Sequence, residues 1–497
     1  MRCLSHCLRL WLALAVLLTG AAPTFVAASD DLPDMGSPSD ALLSRRLEAQ
    51  IGRQIYSSLV QSGAVVTDPE IQEYIQDVGM RLVAQAKAEG QRFHFFVVDN
   101  PVINAFALPG GYIGIHTGLL LATATESELA GVLAHEISHV TQRHISRAVF
   151  ANQRASTLSL AAMLGAILVG VATGADPGLI QGAIGATQGM AVEQQISFTR
   201  SNEKEADRVG LKLLADAGFD PQGMPDFFET MGRSSATLSE NKAPEFLLTH
   251  PVSTDRMAET RDRAKNYPEV DAVDAGGYSI ARARAKLLTS SRPEKSLEYF
   301  REEGNKPEKV GSIETNYGIA LSEIELGHYD KAQARLEKLL EQNEEVIPFY
   351  SGLAIAQANR GDQEAALETY ATAMKLFPRN VALTVRYAET LLRYGEAQQA
   401  HDVLLDLLNQ VPPTLEQVRL IALAANSAGE TADAHYYMAE YHAMSGGLRL
   451  AIDQLRLALA TPGLDSVQRA RYTARLQEFQ EYLPTRKESK QQKNGPE

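Results

Sequence analysis

Cysteine and tryptophan are almost absent from this chain of 497 residues: Cys3, Cys7 and Trp11 are the only ones, all within the first eleven positions. In that stretch Arg2 and Arg9 flank the start of an apolar run from Leu10 to Leu18, and Val26, Ala27 and Ala28 supply residues that a signal peptidase reads. Residues 1–28 read as a cleaved secretory signal, because the run is shorter than the roughly twenty residues a membrane span needs. The mature chain then has no cysteine, which excludes both a disulfide framework and a lipid-modified cysteine anchor. An exported protein of this length without disulfides must draw its stability from core packing.

Basic charge is also short. There are 47 Lys and Arg against 61 Asp and Glu, a net charge of −14, and the signal takes two arginines with it. So acidic a chain is a poor partner for nucleic acid or anionic lipid headgroups, and a soluble periplasmic protein is expected. With 45% hydrophobic and 22% charged residues the composition is ordinary globular, and the length predicts about two to four domains.

What is present is concentrated at Ala134-His135-Glu136-Ile137-Ser138-His139-Val140, an H-E-x-x-H sequence in a helical context. Residues four apart share a helix face, so His135 and His139 can reach one metal ion while Glu136 stands beside it. Two neutral imidazoles and a third ligand suit a catalytic zinc, and Glu136 has the chemistry of the general base in peptide hydrolysis. Thr125, Ser127 and Glu128 read as helix-starting residues. Leu129, Val132, Leu133, Ile137 and Val140 form the stripe that buries the motif helix, and His144 and Arg147 continue it. His144, five residues past His139, turns off the ligand face and is read as a non-ligand.

Before the motif, residues 29–41 form a polar leader, and from Leu42 two amphipathic helices follow through Ile51, Ile55, Leu59 and Ile71, Ile75, Val78, Leu82. Phe93 to Val98 is strand-like, and Asn104 to Leu108 and Tyr112 to Ile115 flank Pro109-Gly110-Gly111 as the arms of a hairpin. His94 and His116 in this small sheet read as structural. The charge-free stretch 158–175, broken by Gly170, Gly174 and Pro177, reads as a buried or membrane-grazing helical hairpin, so peripheral membrane contact stays open.

Further on, Glu203 and Asp207 are four apart and share a face, with Glu205 pointing elsewhere. If that helix packs on the motif helix, Glu203 reaches the metal and Asp207 fixes a ligand imidazole. Read alone, the stretch is better explained as a solvated acidic face. H-E-x-x-H followed by Glu203-Lys204-Glu205-Ala206-Asp207, however, resembles the HtpX/Oma-type zinc metallopeptidases, relatives of the CAAX prenyl proteases. Asn104 to Ile113 and Thr249-His250-Pro251 with Arg256 resemble further motifs of that family.

The resemblance implies Glu203 as third ligand of one zinc ion per chain. It implies His250 as a regulatory group or fourth ligand, with a hydrogen-bond donor to the substrate carbonyl as the alternative. Arg256, like Asp207, would support the ligands from behind. Asn104, Ala105, Phe106, Ala107 and Leu108 would be an edge strand against which an extended substrate pairs.

In the second half Gly327, Gly361, Gly395 and Gly429 recur at a spacing of 34, as do Ala320, Ala354, Ala388, Ala422 and Ala332, Ala366, Ala400, Ala434. That is the tetratricopeptide period. The fold expected is α+β: a mostly helical zincin-like metallopeptidase domain with a small sheet at 42–268, then an all-α tetratricopeptide solenoid at 269–483 and a disordered tail at 484–497. A signal, this motif set and such an array together resemble the periplasmic, repeat-bearing members of the family. That implies an endopeptidase with a chaperone-like role toward unfolded or misassembled outer-membrane proteins, docked through its repeats on the outer-membrane barrel-assembly machinery. Two alternatives are an adaptor or holdase with a latent peptidase domain and a membrane-embedded quality-control protease.

Overall fold

The computed structural model describes residues 43–86, 88, 90–151, 200–237, 245–268, 270, 276–409 and 412–481. The expected signal, the leader, the stretch at 158–175 and the tail from 484 lie outside the described residues.

Helix α1 (Arg45–Gln61) starts where the Ser44 hydroxyl accepts from the Leu47 amide, and α2 (Pro69–Val83) starts where Asp68 accepts from Ile71. Pro69 takes the first helical position, where its missing N–H costs nothing. Ile55, Leu59, Ile71, Ile75, Val78 and Leu82 are buried, as their spacing predicts. Strands β1 (His94–Val98), β2 (Ala105–Leu108) and β3 (Tyr112–His116) form one sheet in the order β1-β3-β2. The hairpin β2–β3 is antiparallel with Phe106 opposite Gly114, and β1 lies parallel to β3, which leaves β2 at an edge.

After α3 (Thr117–Ala122) comes the motif helix α4 (Glu126–Thr141). Its start is doubly tied: Thr125 Oγ1 accepts from the Glu128 amide at 3.2 Å, and the Glu128 carboxylate accepts from the Ala124 amide at 2.8 Å. Every residue from Ser127 to His139 is buried, so α4 is the central rod of the domain and not a surface helix with one buried stripe. It packs on β2, α6 (Arg200–Asp216) and α7 (Gly223–Thr237), and α8 (Glu245–Thr249) and α9 (Thr254–Ala264) complete the domain.

The continuous helix expected through His144 and Arg147 does not form. Helix α4 ends at Thr141, Arg143 adopts a left-handed φ of 54°, and α5 (His144–Ala151) sets off anew. That conformation is unfavourable for a residue with a side chain. It is offset here by anchoring, since the Arg143 guanidinium donates to Leu43 O at 2.8 Å and Ser146 Oγ at 3.3 Å.

Six helix pairs follow: α10 (Gly277–Thr289) with α11 (Pro293–Gly304), α12 (Ile313–Glu325) with α13 (Tyr329–Gln342), α14 (Ile347–Arg360) with α15 (Gln363–Leu376), α16 (Val381–Arg393) with α17 (Ala397–Leu408), α18 (Leu415–Ser427) with α19 (Thr431–Met444), and α20 (Leu448–Ala460) with α21 (Ser466–Glu481). Gly327, Gly361, Gly395 and Gly429 end the first helix of successive pairs at φ of 75°, 93°, 83° and 84°, a conformation that glycine adopts without a Cβ penalty. Gly463, at φ 84°, carries the same turn into the last pair. The alanines at the 34-residue period are buried where helices close on one another.

The solenoid folds back on the peptidase domain. Tyr278, Ala281 and Ala285 of α10 join the core that holds Leu129 and Leu133 of α4. Leu415, Tyr441 and Met444 pack with Ile55, Tyr56 and Leu59 of α1, while α16 packs on α2.

Candidate metal centre

Helix α4 presents His135 and His139 one turn apart, with Nε2 atoms 3.0 Å from each other. Helix α6 crosses close by at Gly210, where a Cβ would stand 3.1 Å from the Ala134 carbonyl and the His135 amide. That approach carries Glu203 to the imidazoles: its oxygens lie 3.5 Å from His135 Nε2 and 3.4 Å from His139 Nε2. His250, just beyond α8, brings Nδ1 to 3.1 Å from Glu203 Oε1 and 3.3 Å from His135 Nε2. One ligand-type atom from each of the four side chains lies within 4.8 Å of the others, and all four residues are buried.

These spacings fit a metal ion. Four ligands about 2.0–2.1 Å from a tetrahedral zinc stand roughly 3.3–3.4 Å apart, and imidazole nitrogen with carboxylate oxygen is a donor set zinc accepts. The support behind the donors also fits. His135 Nδ1 lies 3.0 Å from Asp207 Oδ1, and Arg256 grips Asp207 through two hydrogen bonds of 2.7 Å while reaching Glu203 Oε2 at 2.9 Å.

Electrostatics follow from burial and these neighbours. Burial opposes charge on His135, but Asp207 and Glu203 overcome it and lift the ring to about 9, so an incoming cation competes with a proton there. Burial would likewise raise Glu203, yet the His250 and His135 rings hold its carboxyl well below the usual range. His139 is pushed well below an ordinary histidine by burial and by the His135 and His250 rings. Glu136 is fully buried and raised, chiefly by desolvation, which the His250 and His135 rings and the Ala107 amide of β2 only partly offset. His250 Nε2 lies 3.5 Å from Glu136 Oε1.

The peptidase family M48 model matches residues 69–264, and a tetratricopeptide-repeat model matches 360–426. The chain is 34% identical to the β-barrel assembly-enhancing protease of Escherichia coli strain K12, over 94% of this chain and 95% of that one. The chain belongs to peptidase family M48. It is a metalloendopeptidase of the β-barrel assembly-enhancing type with a tetratricopeptide solenoid. A putative β-barrel assembly-enhancing protease of Vibrio cholerae is also 34% identical, over 92% of this chain and 95% of that one. The mitochondrial metalloendopeptidase OMA1 of Arabidopsis thaliana is 31% identical over 39% of this chain and 36% of that one.

In this M48 chain the structure brings His135, His139, Glu203 and His250 together, with Glu136, Asp207 and Arg256 against them. It keeps His94 and His116 away from them. His94 packs among Tyr56, Phe96 and Tyr112, and His116 Nδ1 lies 3.2 Å from Val102 O. Ala105, Phe106, Ala107 and Leu108 form edge strand β2 but are buried, and the Phe246 amide of α8 donates to Ile103 O just ahead of them. Asn104 is 1% exposed, with neither side-chain amide atom hydrogen-bonded among the described residues. His144, expected to be a non-ligand, is not one of the four donors, but its Nδ1 lies 2.9 Å from His139 Nδ1, a contact that spacing does not foretell because the break at Arg143 has no glycine to announce it.

Proposed function

We propose that this chain is a zinc-dependent endopeptidase of the periplasm that degrades misassembled outer-membrane β-barrel proteins and also aids their assembly. The observation that carries the enzymatic reading is the convergence of four buried donors beside the fully buried carboxylate of Glu136. The relatives' names support the substrate class, and the signal expected at 1–28 supports the compartment. The solenoid offers the surface for substrates and for the barrel-assembly machinery.

His135, His139 and Glu203 would hold one zinc ion, which when bound supplies Lewis acidity and lowers the pKa of water in the cleft. Glu136 accepts the proton of the attacking water and returns it to the leaving amine; its raised pKa brings it closer to working pH, where such a base is most effective. Asp207 and Arg256 keep His135 and Glu203 oriented. Asn104 and β2 offer backbone and amide groups to an extended polypeptide.

His250 stands among the donors and faces Glu136, so a fourth protein ligand closes the position that catalysis needs open. We read this as a latent state in which His250 is the gate. Withdrawal of His250 with α8 would also release the Phe246 contact to Ile103 beside the substrate strand. The same closure favours a second reading, an adaptor or holdase whose peptidase stays silent. For the membrane-embedded alternative, no helix among the described residues is long and apolar enough to cross a membrane.

The test pairs elemental analysis with cleavage of casein for wild type, Glu136→Gln and His250→Ala. One zinc per chain, cleavage lost in Glu136→Gln and increased in His250→Ala is the expected result. Cleavage collapsing in His250→Ala would make that side chain a carbonyl donor instead. Zinc without cleavage in either wild type or His250→Ala would favour the adaptor.

A further inference from the structure

Behind the donors stands a second supporting carboxylate, and it reaches the cluster through an intervening imidazole. On the side of His139 away from Glu203, Nδ1 lies 2.9 Å from His144 Nδ1. His144 Nε2 lies 3.3 Å from Glu205 Oε2, and Arg147 donates to the same oxygen at 2.9 Å. The proton positions follow from the roles. A neutral imidazole that offers Nε2 to a cation carries its hydrogen on Nδ1. His139 therefore donates, His144 accepts at Nδ1, and the hydrogen left on His144 Nε2 goes to the carboxylate. Every N–H in the chain points outward from α4 toward α6.

We propose that His144 is a positioning residue for the metal, fixing the tautomer and ring orientation of His139 with Glu205 as its anchor. It does in two steps what Asp207 does for His135 in one. The inference rests on reading His135, His139 and Glu203 as ligands of a bound metal. The local fold is shaped for the role. A residue five positions along an unbroken helix lies well off the face of His139, and the left-handed turn at Arg143 brings His144 back onto the outer nitrogen. The His144 ring is fully buried, and both of its nitrogens are engaged. One helix thus serves the site three times: α6 sends Glu203 to the ion, Asp207 to His135 and Glu205 to His144.

The two supports differ in depth. Asp207 is buried and gripped by buried Arg256, whereas the Glu205 side chain is 35% exposed and its partner Arg147 46%. Loss of Glu205 therefore weakens the support less than loss of His144, because water can replace a half-exposed carboxylate.

The experiment measures the zinc dissociation constant of the full chain by competition with a chromophoric chelator at neutral pH. The variants are His144→Phe, His144→Asn and Glu205→Gln, each accompanied by thermal unfolding of the metal-free protein. His144→Phe keeps a ring but removes the acceptor, and raises the dissociation constant by about 10–100-fold. His144→Asn, whose amide oxygen stands near the position of Nδ1, recovers most of that loss, and Glu205→Gln falls between wild type and His144→Phe. Metal-free melting temperatures of His144→Asn and Glu205→Gln stay at the wild-type value. Wild-type affinity in His144→Phe overturns the proposal, as does an Asn variant no better than Phe. A wild-type chain that binds no zinc overturns the ligand assignment and this relay with it.

Discussion

At the seam between α2 and the solenoid, Asp68 and Glu70 face Arg284 of α10 and Arg386 of α16, with ion-pair distances from 2.5 to 3.1 Å. Arg284 also donates to Tyr317 Oη at 2.7 Å. At the metal centre, Glu136, Glu203 and Asp207 face one permanently charged group, Arg256, together with three imidazoles whose nitrogens converge. Both clusters bury charge, but two carboxylates balance two guanidiniums at the seam, while at the centre three carboxylates share one guanidinium. The seam is complete in itself and holds the solenoid to the peptidase domain. The centre is completed only by a cation and by a substrate, and that difference separates a structural cluster from a chemical one.

The largest effect breaks the centre and spares the seam. Removing metal with a chelator should lower casein cleavage by the His250→Ala variant, the one expected to cleave fastest, at least about a thousandfold, the scale of losing the chemistry altogether. Small-angle scattering should show an unchanged overall shape, since no seam contact involves the donors. Cleavage that survives complete metal removal would end the metal reading. Next in size is a break at the seam. Arg386→Met leaves Glu70 and Asp68 buried with Arg284 alone, which costs about 3 kcal/mol of unfolding free energy in urea, while zinc content stays at the wild-type level. An Arg386→Met variant that loses zinc but not stability would reverse the roles given to the two clusters.

The two clusters also differ in how far the sequence discloses them. H-E-x-x-H is legible because two candidate ligands and the proposed base are fixed by helical spacing within five residues. The solenoid is legible because Gly327 and its counterparts repeat one turn at one interval. Glu203 has the right spacing to Asp207 but no local evidence of its target; that depends on Gly210 letting α6 close on α4. His250 joins the donors from a loop that shares no period with them, so only the family resemblance marked it. The seam left no mark at all. Asp68 caps α2 locally, but its second role depends on Arg284 and Arg386, more than two hundred residues away. His144 reads as a non-ligand and stands outside the four donors, but its place against the outer nitrogen of His139 depends on an arginine in a left-handed conformation, a break that residue type does not reveal.

A smaller effect sharpens the seam through pH. Burial alone would raise Asp68, but the Arg284 and Arg386 guanidiniums hold it down at about 2. A carboxylate lowered in the folded state contributes stability that is full above its unfolded pKa, near 4, and is lost as pH falls through the folded value. Asp68→Asn keeps the helix cap and removes the charge. The stability difference between wild type and Asp68→Asn, measured on metal-free protein, should therefore shrink by about 2 kcal/mol between pH 6 and pH 2. A difference that stays constant would mean that Asp68 acts as a cap alone.

The smallest effect on stability tests the centre's packing. Gly210→Ala gains up to about 1 kcal/mol of helix propensity and loses a similar amount to the contact its Cβ makes with the Ala134 carbonyl, so the unfolding free energy should change by less than about 1 kcal/mol. Its metal affinity should not be so indifferent. The same Cβ pushes α6 away from α4, and Glu203 and Asp207 move with α6 while His135 and His139 stay with α4. A loss of zinc affinity of roughly tenfold at nearly constant stability would show that the glycine serves the site and not the core. Equal affinity in Gly210→Ala would mean that the two helices have slack to spare, and that the donor spacing is set by the side chains and not by the helix crossing.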